Sequence, residues 1–295
     1  QLWVTSAYML CSTIMMPLYG RLGDTFGRKY LFCGALCLFA GGSTICGLGS
    51  SMLTLIVGRA IQGLGGGGLM ILSQAIIADI FPPKERGKYM GIMGAAFGMS
   101  AVIGPLLGGW FTDSLGWRWC FWINIPLCVI AFFLAAKCLP HNAREVENKK
   151  FDVWGTITMA ASTASLILAI SWGGNLFEWT SPLIIGLFAS FVVCAVAFVM
   201  FERRAQNPII PLNFFTNRTF ALATGAGMLL MVGMMGVVSY MPTYIQITQG
   251  YNATISGYLM LPMMLGVMIT STASGFLASK MKKIKWMPIV SCAVA

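Results

Sequence analysis

Apolar runs of about 20 residues or more follow one another along the whole chain and are separated by short polar breaks. A run of this length crosses the ~30 Å hydrocarbon core of a bilayer. Segments in lipid must satisfy their own backbone hydrogen bonds, and the alternating pattern of barrel strands is missing, so the runs predict helices. The predicted spans cover residues 2–19, 30–48, 53–80, 89–111, 119–136, 153–172, 182–201, 219–247 and 254–279, with a tenth starting near residue 286.

Positive charge is concentrated in every second polar break. Of the 19 Lys and Arg residues, those in alternate breaks are Arg21, Arg28, Lys29, Lys84, Arg86, Lys88, Lys137, Arg144, Lys149, Lys150, Arg203, Arg204, Arg218, Lys280, Lys282, Lys283 and Lys285. Cytoplasmic loops of multi-spanning proteins collect positive charge, so the first run is predicted to pass from outside to inside. Only Arg118 lies in the opposite breaks, and only Arg59 lies inside an apolar run.

Composition supports an all-α integral membrane protein of the plasma membrane or the bacterial inner membrane. The chain is 57% hydrophobic and 9% charged, whereas soluble domains are about a quarter charged. The net charge of +10 lies at membrane edges, where it faces anionic lipid, so no nucleic-acid partner is predicted. The nine Cys residues form no C-x-x-C pair and are interpreted as packing residues, so no metal or cofactor is predicted.

The arginine inside the third span needs a specific reason to be there. Burying an Arg in a membrane helix costs on the order of 2.5–3.5 kcal/mol, so Arg59 must face the bundle interior, a cavity or a partner. Gln62 is three residues further on and shares its helical face. The four glycines at residues 65–68 are not followed by the Gly-Lys-Ser/Thr of a phosphate loop, and close helix packing is the better account.

The first basic break reads Gly-Arg-Leu-Gly-Asp-Thr-Phe-Gly-Arg-Lys over residues 20–29. Its glycines allow a tight turn, and Asp24 and Arg28 are four residues apart, so they can pair on one helical face. The string resembles the G-x-L-x-D-x-x-G-R-K signature of the major facilitator superfamily. The resemblance implies two pseudo-symmetric helical bundles and an inner cluster that locks the outward-facing state. The residues carried over to that lock are Gly20, Asp24, Gly27, Arg28 and Asp79.

Further motifs resemble particular branches of the superfamily. Residues 59–63 are similar to its R-x-x-Q-G motif, which implies a proton-coupling role for Arg59 and Gln62. The fourth span contains a G-P-x-x-G-G string, which resembles the motif of the antiporters and whose proline is expected to kink the helix. Its residues are Gly104, Pro105, Gly108 and Gly109. The W-R-W-x-F-x-I-N-x-P string at residues 117–126 is typical of the drug:proton antiporter branch with fourteen helices.

The predicted organisation has five segments. Residues 1–136 form the amino-terminal bundle without its first helix, and residues 137–152 form a cytoplasmic linker. Residues 153–201 are an inserted helix pair, residues 202–218 a cytoplasmic loop, and residues 219–295 the start of the carboxy-terminal bundle. The insertion follows because residues 275–280 echo the signature at residues 20–24, as expected of repeated transporter halves. We also expect the chain to be a fragment truncated at both ends.

The predicted function is proton-coupled efflux of hydrophobic or cationic drugs by alternating access, and export of one metabolite, amino acid or siderophore by the same fold is the alternative. No metal set and no nucleophile–base pair is found, which excludes an enzyme. We expect a monomer whose partners are a small-molecule substrate, protons and the lipid bilayer. The candidate substrate contacts are Asn124, Met231, Met235, Tyr240 and Tyr244.

The group that carries the proton is not evident in the sequence. All nine acids fall in loops or at span ends. Arginine stays protonated at physiological pH, so the predicted role of Arg59 is to act on a neighbouring carboxylate by its charge. That carboxylate is expected in a preceding helix or in the carboxy-terminal part of the full-length protein.

Overall fold

The structure is a computed structural model that describes residues 2–139, 152–205, 208–210, 212–250 and 253–280. Ten α-helices lie in these ranges: α1 (Leu2–Phe26), α2 (Arg28–Leu48), α3 (Met52–Ile80), α4 (Pro83–Ser114), α5 (Trp119–Trp122), α6 (Asn124–Cys138), α7 (Val153–Trp172), α8 (Pro182–Arg204), α9 (Arg218–Gln249) and α10 (Ala253–Lys280). A short 3-10 helix, Leu212–Thr216, precedes α9. The tenth predicted span and nearly all of the predicted linker lie outside the described residues.

The helices form where the apolar runs predict them. In the described ranges, seven segments are long and apolar enough to cross a membrane: Arg28–Leu48, Met52–Ile80, Trp119–Cys138, Val153–Trp172, Pro182–Arg204, Arg218–Val238 and Tyr258–Leu277. Helices α1 and α4 also lie at predicted spans, but each extends several residues into a charged break. The all-α membrane class predicted from the sequence is therefore confirmed.

Local chemistry sets several helix ends. Gly27 separates α1 from α2 with a φ of 89°, a left-handed value that favours glycine. The Asp152 side chain caps α7 by accepting a hydrogen bond from the Gly155 amide, and Ser181 caps α8 in the same way through Ile184. Each cap satisfies a backbone donor that the first helical turn leaves unpaired.

The chain divides into two compact units. The first unit joins residues 1–76 to residues 118–212, and the second joins residues 77–117 to residues 213–295. Helix α4 is therefore grouped with α9 and α10 by its contacts, and not with α1–α3. The five segments predicted from the sequence follow chain order and remain predictions.

The first unit is packed through the glycines of α3. A Cβ atom on Gly63 would meet the backbone of Tyr8, and one on Gly67 would meet the backbone of Ser12, so α3 lies directly against α1. A Cβ on Gly65 would meet the Ala35 carbonyl of α2 at 2.5 Å. The close packing predicted for this glycine run is present, because any larger residue there would separate the helices.

Helices α7 and α8, which the sequence predicts to be an inserted pair, belong to the first unit, and α7 packs against α1. Ser165 of α7 and Ser190 of α8 lie within hydrogen-bond distance at 3.0 Å. At one end of the pair, the Trp172 ring meets the Trp3 ring of α1 edge to face, with centroids 5.3 Å apart. Helix α7 therefore stabilises α1 as well as its own hairpin partner.

The second unit is built on the contact between α4 and α10. A Cβ on Gly91 would meet the Ser271 carbonyl at 3.0 Å, and one on Gly275 would meet the Gly87 backbone. Small residues on both helices thus allow the two backbones to approach closely. Helix α9 is largely exposed within this unit.

Candidate functional site

Arg59 of α3 points toward neighbouring helices of the first unit. Its Nη1 donates a hydrogen bond to Oε1 of Gln62 at 3.0 Å. The side chain of Gln62 is 2% exposed, so the pair lies inside the packed helices rather than on their outer face. The spacing of three residues places both groups on one side of α3, as the sequence predicts.

A chain of polar contacts connects Gln62 to two other helices. Gln62 Nε2 donates to the Ser43 hydroxyl of α2 at 2.8 Å. Asn124, at the start of α6, places its Nδ2 at 3.5 Å from the same hydroxyl. Ser43 is fully buried, so the contacts satisfy polar groups that would be costly to leave unpaired in an apolar interior. The network fixes the orientation of the Gln62 amide that accepts from Arg59.

The Arg59 guanidinium lies over two aromatic rings. Its Cζ atom lies 5.3 Å from the ring centroid of Tyr8 in α1 and 5.3 Å from that of Phe121 in α5. Each ring face presents negative quadrupole density to the cation, which stabilises it by about 0.5–2 kcal/mol. The positive charge is thus held by rings from two different helices.

The charge of Arg59 has no counter-charge among the described residues. Its Nε is buried and makes no hydrogen bond within them. Another arginine of the same unit, Arg28, does form a salt bridge, with Asp24. Arg59 is thus a partly buried cation whose buried Nε has no acceptor among the described residues, which suits an anionic or carboxylate partner.

The signature at residues 20–29 forms an ion pair at the end of α1. Arg28 Nη2 lies 2.8 Å from Asp24 Oδ1, and Arg28 Nη1 donates to the Ala75 carbonyl of α3. A Cβ on Gly23 would meet the Leu72 side chain of α3 at 3.1 Å, so α1 and α3 are also close here. Gly20 is 3.8 Å from Ile71 by the same measure. Arg28 thereby links the turn between α1 and α2 to the inner end of α3.

Asp79 falls in the second unit, whereas Asp24 and Arg28 fall in the first. Its predicted place in the inner lock therefore stays a prediction. Arg86 fixes the turn that follows Asp79, because its guanidinium donates to the carbonyls of Ala78 and Phe81.

The antiporter motif lies within α4, which continues as a helix from Pro83 to Ser114 through Pro105. Gly108 accepts a hydrogen bond from the Thr112 hydroxyl at 2.7 Å. A Cβ on Gly104 would meet no atom of the described residues within 4 Å, unlike one on Gly91. The glycine face predicted for α4 therefore packs against α10 through its first half. The surroundings of Pro105 and Gly109 lie outside the described contacts, and the role of the motif stays a prediction.

The candidate substrate contacts are divided between the two units, and their grouping into one site stays a prediction. Asn124 is part of the Arg59 network in the first unit, whereas the other candidates lie on α9 in the second. Met231 is 55% exposed, and Tyr240 and Tyr244 are 76% and 61% exposed. Met235 lies on the same helix, with its side chain outside the described ones. At 100° per residue, the nine-residue offset places Met231 and Tyr240 on opposite faces of α9, so one ligand facing this helix would meet only one of the two.

Sequence reasoning missed several residues that the structure brings to these sites. Tyr8, Ser43 and Phe121 surround the Arg59–Gln62 pair. The signal for Ser43 was a polar residue among the small residues of an apolar span. Phe121 lies in the string at residues 117–126, which gave it no link to Arg59. Tyr8 carries no local signal, because only the packing of α1 on α3 brings it to Arg59. Glu202, predicted only to lie at a span end, is 3% exposed in the last turn of α8.

Within the described ranges, no group of three or more His, Cys, Asp and Glu residues is arranged to hold a metal ion.

Comparison with known proteins gives a family match over nearly the whole chain. The model of the family described as Major Facilitator Superfamily matches residues 2–295. Two relatives come from Bacillus subtilis (strain 168). "Multidrug transporter protein MdtP" is 39% identical over 278 residues, which are 94% of this chain and 51% of the relative. "Multidrug resistance protein 3" is 41% identical over 278 residues, which are 94% of this chain and 54% of the relative.

A fungal relative is similar over the same length. "MFS-type efflux pump MFS1" of Trichophyton rubrum (strain ATCC MYA-4607 / CBS 118892) is 34% identical over 284 residues, covering 92% of this chain and 53% of the relative. The chain thus spans about half the length of the curated relatives it matches.

Proposed function

Because the chain belongs to the major facilitator superfamily, we propose that the full-length protein is a proton-coupled exporter of hydrophobic or cationic small molecules. It is a multi-pass membrane protein, and we place it in the plasma membrane or bacterial inner membrane. Export would proceed by alternating access, in which two helical bundles rock around a central site. No chemical conversion of the substrate is involved.

The environment of Arg59 is the observation that carries this proposal. An intramembrane arginine is costly, and here it is retained by two ring faces and one amide oxygen without a carboxylate among the described residues. Because these contacts leave its charge uncompensated, a carboxylate approaching the cluster would be stabilised in its ionised form. Arg59 would thus favour proton release from that carboxylate when the two groups come together.

A conformational change is needed to turn this charge effect into transport. If the carboxylate is near Arg59 in one state and distant in the other, its proton affinity differs between the states, and proton binding biases the equilibrium between them. The Gln62–Ser43–Asn124 contacts would keep the guanidinium in place while the partner moves. The carboxylate is expected elsewhere in the full-length protein.

The Asp24–Arg28 pair is proposed as the inner lock. Arg28 joins the turn between α1 and α2 to the Ala75 carbonyl of α3, so opening of this region must break or move that link. Asp79 would take part if the two units meet at the inner surface. The glycines and proline of the antiporter motif would seal the pathway along α4.

The substrate class is supported by the names of the relatives and by α9. Two relatives are named for multidrug transport or resistance, and the described part of α9 presents exposed methionines and tyrosines. Methionine and aromatic side chains adapt to varied apolar ligands. An exporter of one compound would instead transport a single member of a substrate panel.

The experiment is proton-gradient-driven uptake into inverted vesicles that contain the full-length protein, with a panel of dyes, cationic drugs and amino acids. We expect several cationic dyes to accumulate, and each addition of dye to release protons from the vesicle lumen. Arg203→Gln, which changes an exposed arginine at the end of α8, is the control. Uptake that persists after collapse of the proton gradient would contradict coupling, and uptake of one compound alone would favour the alternative.

A further inference from the structure

Two carboxylates lie close together at one end of the α7–α8 pair. The charge distribution places this end in the cytoplasm. Asp152 caps the start of α7, and Glu202 lies in the last turn of α8. Oδ2 of Asp152 and Oε2 of Glu202 both lie within 3.0 Å of the position that a Cβ atom would take on Gly155. The absence of a side chain at residue 155 is what lets the two acids approach each other.

One oxygen of each acid is paired and the other is not. Asp152 Oδ1 accepts from the Gly155 amide at 2.8 Å, and Glu202 Oε1 accepts from the Ile210 amide in the loop after α8. Asp152 Oδ2 and Glu202 Oε2 are buried and have no hydrogen-bond partner among the described residues. Glu202 is 3% exposed, so an unpaired oxygen there is costly.

The charges around the pair do not balance if both acids are ionised. Within the described ranges, the charged groups that act on Glu202 are Asp152 and Arg21. Arg21 lies in α1 and belongs to the signature at residues 20–29. Arg203 and Arg204 follow Glu202 on α8 but are exposed. Among the described residues, two carboxylates thus face one guanidinium, and a second negative charge at the buried Oδ2 and Oε2 atoms is unfavourable.

We propose that Asp152 and Glu202 form a proton-binding site, in which one proton taken from cytoplasmic water is shared between Asp152 Oδ2 and Glu202 Oε2. The shared proton supplies the donor that both oxygens lack. It also lowers the charge of the pair from two to one, which Arg21 then balances. Buried acid pairs that cannot both ionise hold a proton in this way.

The site connects three parts of the first unit that sequence analysis treats as separate. Glu202 holds the loop after α8 through Ile210, Asp152 holds the start of α7, and Arg21 belongs to the signature whose Asp24 and Arg28 form the proposed lock. Loss of the proton would weaken the contact between α7 and α8. It would also increase the electrostatic attraction between the two acids and Arg21. The inserted helices would thus pass a change in cytoplasmic pH to the lock.

This inference does not depend on proton-coupled export, because the proton is held whether or not transport is coupled. The test is infrared spectroscopy of the purified full-length protein in lipid, which separates the carbonyl stretch of a protonated carboxyl from the absorption of a carboxylate. Spectra are recorded while the pH is raised from neutral to alkaline. The variants are Glu202→Gln, Asp152→Asn and Gly155→Ala, with Glu178→Gln as a control, because Glu178 is an exposed acid at the opposite end of the hairpin.

We expect a protonated-carboxyl band at neutral pH that disappears on alkalinisation in the wild-type protein and in Glu178→Gln. Glu202→Gln keeps the acceptor for Ile210 and should lose the band, and Asp152→Asn should lose or shift it. Gly155→Ala retains both acids but inserts a methyl group between them, and it should also lose the band. Arg59→Ala should retain the band even where export has stopped, which separates this site from the proposed coupling.

Two results would overturn the proposal. A wild-type spectrum without a protonated carboxyl at neutral pH would do so, whether or not any variant folds. A band that persists in both Glu202→Gln and Gly155→Ala would assign the proton to another residue.

Discussion

Two arginines of the first unit, Arg28 and Arg59, are held in opposite ways. The Arg28 guanidinium has an anionic partner, Asp24, and a backbone carbonyl from α3. Arg59 has one amide oxygen and two ring faces, and its Nε meets no acceptor among the described residues. The charge of Arg28 is neutralised by Asp24. The charge of Arg59 is stabilised by its contacts but is not neutralised by a described carboxylate.

The difference matches the two proposed roles, a lock at Arg28 and a coupling group at Arg59. The Asp24–Arg28 pair is partly exposed, with side chains 47% and 19% accessible, so it contributes at most about 1 kcal/mol and is easily broken and re-formed. That suits a lock that must open in each transport cycle. The rings around Arg59 hold it without cancelling its field, which suits a group whose charge must act on a visiting carboxylate.

The largest expected effect comes from removing the planar cation at residue 59. Arg59→Lys keeps the charge but loses the flat guanidinium that contacts two rings and reaches Gln62. We expect proton-driven uptake of dye to fall by more than about tenfold, equivalent to at least ~1.4 kcal/mol. The measurement is the initial uptake rate in inverted vesicles, normalised to the amount of inserted protein. Near-normal uptake by Arg59→Lys would show that the ring contacts of the guanidinium are irrelevant. The contrast drawn between Arg59 and Arg28 would then have no functional meaning.

The next effect tests one of the rings. Phe121→Leu keeps an apolar side chain but removes a ring face, which contributes up to about 2 kcal/mol to a desolvated cation. We expect uptake to fall by roughly tenfold, with the proton gradient still required. Dye titrations at several proton gradients would measure the change, and Phe132→Leu on α6 provides a matched loss of one ring away from Arg59. Equal losses in the two variants would point to helix packing and not to the cation.

A smaller effect is expected at the other arginine. Asp24→Asn removes the counter-charge of Arg28 while its link to Ala75 remains. Since an exposed pair is worth about 0.2–1 kcal/mol, we expect transport to slow by up to about fivefold and thermal stability to change little. The turnover rate and the apparent affinity for dye should be measured together. A change in affinity alone, with the turnover rate intact, would contradict the role of this pair as a lock.

The smallest effect is expected at Tyr8. Tyr8→Phe removes the hydroxyl and keeps the ring over Arg59, so transport should stay within about twofold of wild type. Tyr8→Leu, which removes the ring, should resemble Phe121→Leu. If Tyr8→Phe were as damaging as Tyr8→Leu, the hydroxyl and not the ring face would be the group that holds Arg59, and a dye uptake assay distinguishes these results.

The sequence predicted the helices well, because runs of apolar residues in lipid allow little else. The pairing of Arg59 with Gln62 and of Asp24 with Arg28 was also predictable, since spacings of three and four residues place side chains on one helical face. Both predictions are local, and local periodicity is the information that a single sequence contains most directly.

Contacts between helices were not predictable in the same way. Tyr8 reaches Arg59 only because Gly63 and Gly67 allow α1 to lie against α3, and no spacing relates residue 8 to residue 59. The approach of Asp152 to Glu202 likewise depends on the glycine at residue 155 and on how the α7–α8 hairpin closes. Such pairs follow from tertiary packing, so they become evident only once the helices are placed.

The most direct test of the central claim compares final accumulation with initial rate. Vesicles with the Arg59→Lys or Asp24→Asn full-length protein are given the same fixed proton gradient, and dye uptake is followed to its plateau. Vesicles with the Asp24→Asn protein should accumulate dye slowly but reach the wild-type plateau, because the plateau depends on coupling and not on the transport rate. The Arg59 variant should never accumulate dye above the level without a gradient. An Arg59→Lys plateau equal to that of wild type would contradict the account.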